Sequence, residues 1–408
     1  MSDLQFDVVV VGGGHAAGRL LAELIRGGFE GSVRVIGDEP DAFYERPPLS
    51  KSLLAGKCDL DSIAIVRGAD LTARMQICSA GIVAVDRIAR RVTLGDGTTV
   101  GYGKLVLATG ASPRRLGLLG ESAANVHRLR NTGDVARIRA GMGEHQRWVI
   151  VGGGYIGLEV AATLRQASLD VTLVERAPRL LGRAASAAVA SHLAALHEVN
   201  GVTLRVGVEP KNFCSERDFA TGLKLADGEI IPGTQFLVGA GALPNDALAR
   251  AADIDCDDGI LVEPNGATSD PSIFAIGDAT RHRFHPATGG AMRFECWQNA
   301  EQQASALAAH LLGRAIIVDL LPWFWTEQYD QRVDTFGLVP ADATQVRREG
   351  PTARDWTQFH LVDGRIVAAE IVNHPSERRQ IRKLVVAGAR LDPALLGDSN
   401  TDLRALAA

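Results

Sequence analysis

The feature that most limits what this chain can become is a glycine turn that occurs twice. Val149-Ile150-Val151 has the character of a buried strand, and Gly152-Gly153-Gly154-Tyr155-Ile156-Gly157 follows it directly. Ile156, Val160, Thr163 and Leu164 then recur at helical spacing. A second β-like run, residues 170–174, ends at Glu175. Strand, glycine turn, helix, strand and acid form the layout that holds a dinucleotide. The glycines allow a tight turn, a close backbone approach to the pyrophosphate and tight helix packing, while the acid takes the ribose hydroxyls. The helix N-terminus adds free N–H groups and partial positive charge.

The first copy starts almost at once. Residues 6–11 are apolar and β-branched, and Gly12-Gly13-Gly14-His15-Ala16-Ala17 follows, with Gly12, Gly14 and Ala17 in the glycine positions. A helix through Leu20, Leu21, Leu24 and Ile25 stops at Gly27-Gly28, and a strand over residues 33–36 leads to Gly37-Asp38-Glu39. Asp38 or Glu39 is the ribose acid, and Asp38 is favoured because it lies closer to the strand end. His15 is placed either to face phosphate or, as favoured here, to be a solvent-facing loop histidine.

Gly12 and Gly152 stand 140 positions apart, and the parallel continues beyond them. Residues 92–94 and 98–100 flank Gly95-Asp96-Gly97, and an apolar run into Thr109-Gly110 follows. Later, 223–225 and 229–231 flank Asp227-Gly228, with a run over 236–241 behind them. Asp-Gly between alternating runs signals a hairpin. Each half therefore reads as βαβ, hairpin, strand, and the chain as an internal duplication of a dinucleotide-binding domain. Two such sites in one chain point to two cofactors that exchange electrons. FAD and NAD(P)H each carry a pyrophosphate, whereas FMN does not.

Composition narrows the rest. A length of 408 residues suits two or three domains, and a net charge of −5 gives no reason to expect nucleic acid. No apolar run approaches membrane-spanning length. The five cysteines (58, 78, 214, 256 and 296) have no CxxC or metal-ligand spacing. With no signal-peptide pattern at the N-terminus, a reduced cytoplasmic protein without structural disulfides or metal is expected.

Between these landmarks lies Tyr44-Glu45-Arg46-Pro47-Pro48-Leu49-Ser50-Lys51, where Ser50 reads as the cap of a short helix. A strand ends at Gly277-Asp278, and Trp297 leads a helix rich in Ala, Leu and Gln. From about residue 317 the composition shifts. Pro322-Trp323-Phe324-Trp325, runs over 358–362 and 365–372 and a basic helix over 378–386 describe a smaller α+β domain. The two tryptophans are read as pointing to opposite faces of an extended backbone. The fold class is thus α/β, with two Rossmann-like domains in a glutathione-reductase-like arrangement and a C-terminal α+β domain. The expected boundaries are 1–112 with 243–316, 113–242, and 317–408.

These strings together resemble one family. RPPLSK at 46–51, LATG at 107–110, VGGGYIGLEVA at 151–161, AIGD at 275–278 and PWFW at 322–325 are similar to the FAD-dependent, NADH-using ferredoxin reductases of bacterial oxygenase systems. Putidaredoxin reductase and the biphenyl dioxygenase reductase typify that family. The resemblance implies non-covalent FAD held by Gly12, Gly14, Ala16 and Asp38, with Ile82 and Arg130 at its adenosine end. It implies Lys51 beside the flavin, Asp278 on the ribityl chain and Trp297 at the pyrimidine side. It implies NADH on Gly152, Gly154, Ile156 and Gly157, with Glu175 on the adenine ribose and Glu159 near the nicotinamide, paired with Lys51.

The activity implied is ferredoxin–NAD(+) reduction: hydride from NADH to FAD, then single electrons to a [2Fe-2S] ferredoxin serving a ring-hydroxylating dioxygenase or haem monooxygenase. The resemblance implies Lys51 and Glu159 as the catalytic pair. The ferredoxin would dock near Trp323 and Trp325, steered by Arg314 or by Arg378, Arg379, Arg382 and Lys383, although such a run is otherwise a solvated helix face. Glu175 would repel a 2′-phosphate and so favour NADH, against Arg176 and Arg179 nearby. A monomer or weak homodimer, without nucleic acid or membrane, is expected. The alternatives are a reductase of rubredoxin and an NADH-sensing flavoprotein of the apoptosis-inducing-factor type. Relatives with thiol chemistry carry a cysteine in the stretch that here reads RPPLSK, so that chemistry is not expected.

Overall fold

The computed structural model describes residues 4–39, 41, 43–182, 184–286, 288–319 and 321–406. By compactness the chain falls into two units. The first comprises Met1–Pro47, Cys58–Ser112 and Ala242–Leu320, and the second Pro48–Lys57, Pro113–Gly241 and Leu321–Ala408.

In the first unit the strand Leu4–Val11 lies between Val33–Gly37 and Thr99–Leu107, parallel to both. Met75–Ser79 extends one side and Ile273–Ala275 the other, again in parallel. Val8, Val9 and Val10 are buried on both faces, as a central parallel strand requires. The helix His15–Gly27 lays Leu20, Leu21 and Leu24 against one face together with Ala304 and Leu307 of the helix Trp297–Leu311. It ends where Gly28 turns left-handed at φ 73°, with Phe29 N–H reaching back to the Leu24 carbonyl.

In the second unit the strands Val202–Val206, Asp170–Glu175, Arg147–Val151, Gln235–Val238 and Val126–His127 form a parallel sheet in that order. This repeats the first unit's order around its central strand. The two copies diverge after the hairpin. Thr99–Leu107 runs unbroken, antiparallel to Arg91–Leu94 at its start and parallel to Leu4–Val11 along its length. In the second copy Pro232 and Gly233 interrupt the run and leave Ile230–Pro232 and Gln235–Val238 as separate strands. A proline offers no N–H to continue the ladder.

The C-terminal residues build an antiparallel sheet in the order Trp323–Gln328, Gln331–Gly337, Arg365–Val372, Trp356–Val362, Thr344–Glu349. The helix Arg378–Ala387 covers it, with Ile381, Leu384 and Val385 packed on Phe336, Phe359, Ile366 and Ile371. The expectation for Trp323 and Trp325 is corrected here. Residues two apart on a strand point to the same face, and the two indoles stack at 5.0 Å and 23°.

Candidate functional site

The first glycine loop closes on the end of its own sheet. Gly12 has φ 107°, and a Cβ there would overlap the Ala108 carbonyl, so the turn tolerates only glycine. Gly14 precedes the helix in an extended conformation, and no side chain caps the helix start. The first-turn N–H groups are thus left for an anion. Gly37, at the strand end before Asp38, sits so close that an added Cβ would meet Gly13 N at 2.8 Å.

Asp38 is exposed at that strand end. Glu39 is instead engaged by the Tyr44 hydroxyl at 2.6 Å and by Arg46. Arg46 also lies 3.2 Å from the place a Gly14 Cβ would take, so it puts a guanidinium beside the loop. The turn that carries Asp278 lies beside this loop, because a Cβ on neighbouring Gly277 would stand 3.0 Å from Ala16 Cβ. Gln303 fixes that turn by accepting from Gly277 N–H at 2.8 Å. Trp297 opens its helix next to the loop, with its ring edge-on to His15 at 5.8 Å.

His15 itself is not solvent-facing, as its sequence position suggested. It is 7% exposed, with Nε2 2.8 Å from Glu301. A helix from a distant part of the chain covers it. Ile82 begins the strand Ile82–Asp86 of this unit, half-buried and opposite Leu94.

The second loop repeats the geometry. Gly152 has φ 115°, with a would-be Cβ against the Gly239 carbonyl, and Gly157 abuts the Gly152 carbonyl where no Cβ would fit. Gly154 has open space around it, and its helix, Tyr155–Gln166, also starts without a side-chain cap. Ile156 is 44% exposed on the first turn. Glu175 lies against the loop, its carboxylate accepting from Gly153 N–H and Ala177 N–H, each at 2.6 Å. Arg179 is committed to the backbone carbonyls of Gly182 and Ala185, each at 2.9 Å. Both loops therefore have what a dinucleotide pyrophosphate needs: a cradle that a Cβ would fill and unclaimed N–H groups at a helix start.

Lys51 and Glu159 come together inside the second unit. Lys51 Nζ is 2.9 Å from Glu159 Oε1, and the Glu159 side chain is 4% exposed. Thr326 of the C-terminal sheet donates to the same oxygen at 2.7 Å, and the Ser50 hydroxyl donates to the other. Thr163 on the glutamate's own helix holds the Ser50 carbonyl at 2.8 Å. Ser50 is thus the last residue of a short 3-10 turn, Pro47–Ser50, and a ligand of Glu159, not a helix cap. A buried carboxylate is tolerable when it is paired and fully hydrogen-bonded, and this one is.

Arg130 also lies in the second unit, its N–H donating to Asp134 at 2.7 Å beside the helix Thr132–Ala140. In the C-terminal sheet Arg378 lies over Trp323 at 4.6 Å and 3.1 Å from Asp334, so it departs from a solvated face. Arg379 and Lys383 are exposed and Arg382 is half-buried. Arg314, in the first unit, donates to the Gly27 carbonyl at 2.8 Å.

Among the described residues no disulfide forms, and burial pushes the Cys296 thiol up to about 12. No helix among them is long and apolar enough to cross a membrane. Sequence reasoning missed Arg46, Glu301, Ser50 and Thr326 as members of these clusters. Arg46 and Ser50 lie inside RPPLSK and were within reach, whereas Glu301 and Thr326 carry no motif.

Known proteins place this arrangement. The family model described as pyridine nucleotide-disulphide oxidoreductase matches residues 6–304, and the one described as reductase C-terminal matches residues 323–407. The 5,5'-dehydrodivanillate O-demethylase ferredoxin reductase subunit of a Sphingobium species is 37% identical, covering 99% of both chains. The ferredoxin–NAD(+) reductase component of the Burkholderia cepacia anthranilate 1,2-dioxygenase system is 38% identical over 97% of this chain and 98% of its own. The crystal structure of a covalent putidaredoxin reductase–putidaredoxin complex has a chain that superposes with a TM-score of 0.92 at 34% identity, covering 98% of each. With two thirds of its length and more in these alignments, the chain belongs to the pyridine nucleotide-disulphide oxidoreductase family.

Proposed function

We infer that this chain is an NADH-dependent ferredoxin reductase that uses FAD and serves a terminal oxygenase, either a ring-hydroxylating dioxygenase or a haem monooxygenase. The observation that carries the reading is the pair of like-built glycine cradles, one in each half, in a chain whose relatives are reductases of ferredoxins. When bound, FAD supplies the conversion of a two-electron hydride donor into single electrons for a one-electron carrier.

The protein's share is placement and electrostatics. Gly12, Gly14 and Ala16 cradle the FAD pyrophosphate, with Arg46 as an added cation, and Asp38 takes the adenosine ribose. Ile82 and Arg130 contact the adenosine end, Asp278 the ribityl chain and Trp297 the pyrimidine side. The positive start of the helix Trp297–Leu311 favours negative charge near that side. Gly152, Gly154, Ile156 and Gly157 line the NADH pyrophosphate, and Glu175, fixed by two backbone N–H groups, takes the adenine ribose. With Arg179 turned to loop carbonyls, that pocket favours NADH over NADPH. Lys51 and Glu159 shape the place where nicotinamide meets flavin.

The three-part division (1–112 with 243–316 for FAD, 113–242 for NADH, 317–408 for the C-terminal domain) is part of the same reading. So is a cytoplasmic monomer or weak homodimer that docks a [2Fe-2S] ferredoxin near Trp323 and Trp325. The test is anaerobic stopped-flow of the purified holoprotein with NADH, then with a panel of ferredoxins, a rubredoxin and cytochrome c. Rapid bleaching of flavin by NADH and re-oxidation by a ferredoxin is the expected result. Bleaching with no working ferredoxin would overturn the partner assignment, and absence of flavin or of bleaching would overturn the cofactor assignment.

A further inference from the structure

Glu159 sits at the end of a one-way chain of hydrogen bonds. The Thr326 hydroxyl has a single proton. Gln328 Nε2–H donates to Thr326 Oγ1 at 3.0 Å, which directs that proton to Glu159 Oε1 at 2.7 Å. Gln328 Oε1 in turn faces His197 Nε2 at 2.8 Å, and the Tyr329 hydroxyl is 3.2 Å from His197 Nδ1. A neutral imidazole with its proton on Nε2 satisfies both contacts at once. Burial keeps His197 neutral, with its pKa lowered to about 4. Every donor from Tyr329 to Thr326 therefore points the same way, toward the carboxylate. Thr326, Gln328 and His197 are 1%, 2% and 0% exposed, so no water competes for these bonds. Bonds aligned head to tail in a dry interior reinforce one another.

We propose that Thr326, oriented by Gln328 and His197, is a positioning residue that directs its hydroxyl proton to Glu159 Oε1 and holds that carboxylate turned toward Lys51. The proposal rests on reading Lys51–Glu159 as the pair that shapes the nicotinamide–flavin contact. It gives the C-terminal sheet a part in hydride transfer as well as in carrier docking. A hydrogen bond to the charged form of a carboxylate lowers its pKa, and loss of that bond raises it. Among the described residues, Lys51 pairs with this carboxylate, and Tyr155 on its own helix lies within electrostatic reach of both Glu159 and Glu370.

The experiment compares Thr326→Val, Thr326→Ser and Glu159→Gln in FAD-loaded protein. Three quantities are read: the limiting rate and apparent KM of flavin reduction by NADH, the pH profile of that rate, and the midpoint potential of the bound flavin. Thr326→Val is expected to slow the limiting rate at least about threefold, with the roughly ten- to hundredfold scale of one lost hydrogen bond to a charged acceptor as the upper bound. It should also raise the acid limb of the profile and move the potential in the direction Glu159→Gln moves it, with Thr326→Ser restoring wild-type values. Wild-type behaviour of Thr326→Val beside an altered Glu159→Gln would overturn the proposal alone. Wild-type behaviour of Glu159→Gln would instead overturn the underlying reading of the pair. A lower melting temperature with none of the three readouts moved would mark Thr326 as merely structural and also overturn it. Should Thr326→Val fail to fold, Gln328→Met releases the threonine rotor. The same shifts at smaller size are then expected, and their absence overturns the proposal.

Discussion

Replacing Gly152 by alanine should separate the two nucleotide sites. The backbone there has φ 115°, a conformation a residue with a Cβ adopts only at a cost of roughly 1–2 kcal/mol. The new methyl would also stand 2.8 Å from the Gly239 carbonyl carbon, at the mouth of the sheet between Arg147–Val151 and Gln235–Val238. Forcing an extra carbon into a packed site costs typically about 1–3 kcal/mol. If the loop keeps its shape, the unit loses about 2–5 kcal/mol of stability. If it yields, the N–H groups of the first helical turn swing off their target. One lost charge-assisted bond of roughly 1.5–3 kcal/mol then weakens NADH binding about ten- to hundredfold.

The assay is urea unfolding together with stopped-flow titration of NADH, with FAD content measured in the same samples. Gly152→Ala should retain flavin, lose stability or NADH affinity or both, and leave dithionite reduction of the flavin intact. Gly12→Ala should do the reverse and lose flavin first. An unfolding midpoint and an NADH affinity both equal to wild type would refute the argument that Gly152 alone fits this turn.

Three further outcomes are expected. Turnover with NADH should exceed that with NADPH at least tenfold, and Glu175→Ala should narrow the gap while raising the NADH KM; equal efficiency in the wild type would defeat the Glu175 argument. Stability should fall with acidity between pH 6.5 and about 4, because His197 is held neutral when folded while the unfolded chain takes up the proton first. His197 contributes up to about 3 kcal/mol to that loss, so His197→Gln should flatten the slope of unfolding free energy against pH over this window, and an unchanged slope would show that the imidazole is not shielded. Alanine at Arg382 and Lys383 should raise the ferredoxin KM and flatten its salt dependence, and unchanged values would move docking elsewhere.

Most of the nucleotide-binding architecture was legible in the order of residues. The glycine turns, the hairpin signals at Asp96-Gly97 and Asp227-Gly228 and the fully apolar strands are local rules, and the structure follows them. The C-terminal domain was legible only in part. The strands over 358–362 and 365–372 stood out, but Gln331–Gly337 and Thr344–Glu349 are mixed in polarity and did not. Their pattern reflects Asp334, Thr335 and Arg348 buried in ion pairs and hydrogen bonds that no periodicity announces. The tryptophan pair was misread through the strand period itself.

Residue order alone, then, set where the chain turns tightly, which strands are buried and that two like-built glycine turns open helices. These depend on φ, on missing Cβ atoms and on alternation over a few neighbours. What surrounds the charged groups came from the packing of distant segments. Glu159 owes its partners to Ser50, 109 positions earlier, and to Thr326, 167 positions later. His15 is buried because Glu301, 286 positions away, closes over it. A carboxylate or an imidazole takes its charge state and direction from whichever donors, acceptors and low-dielectric walls the fold brings within about 3 Å. That proximity belongs to the packing of distant segments, so no local pattern carries it.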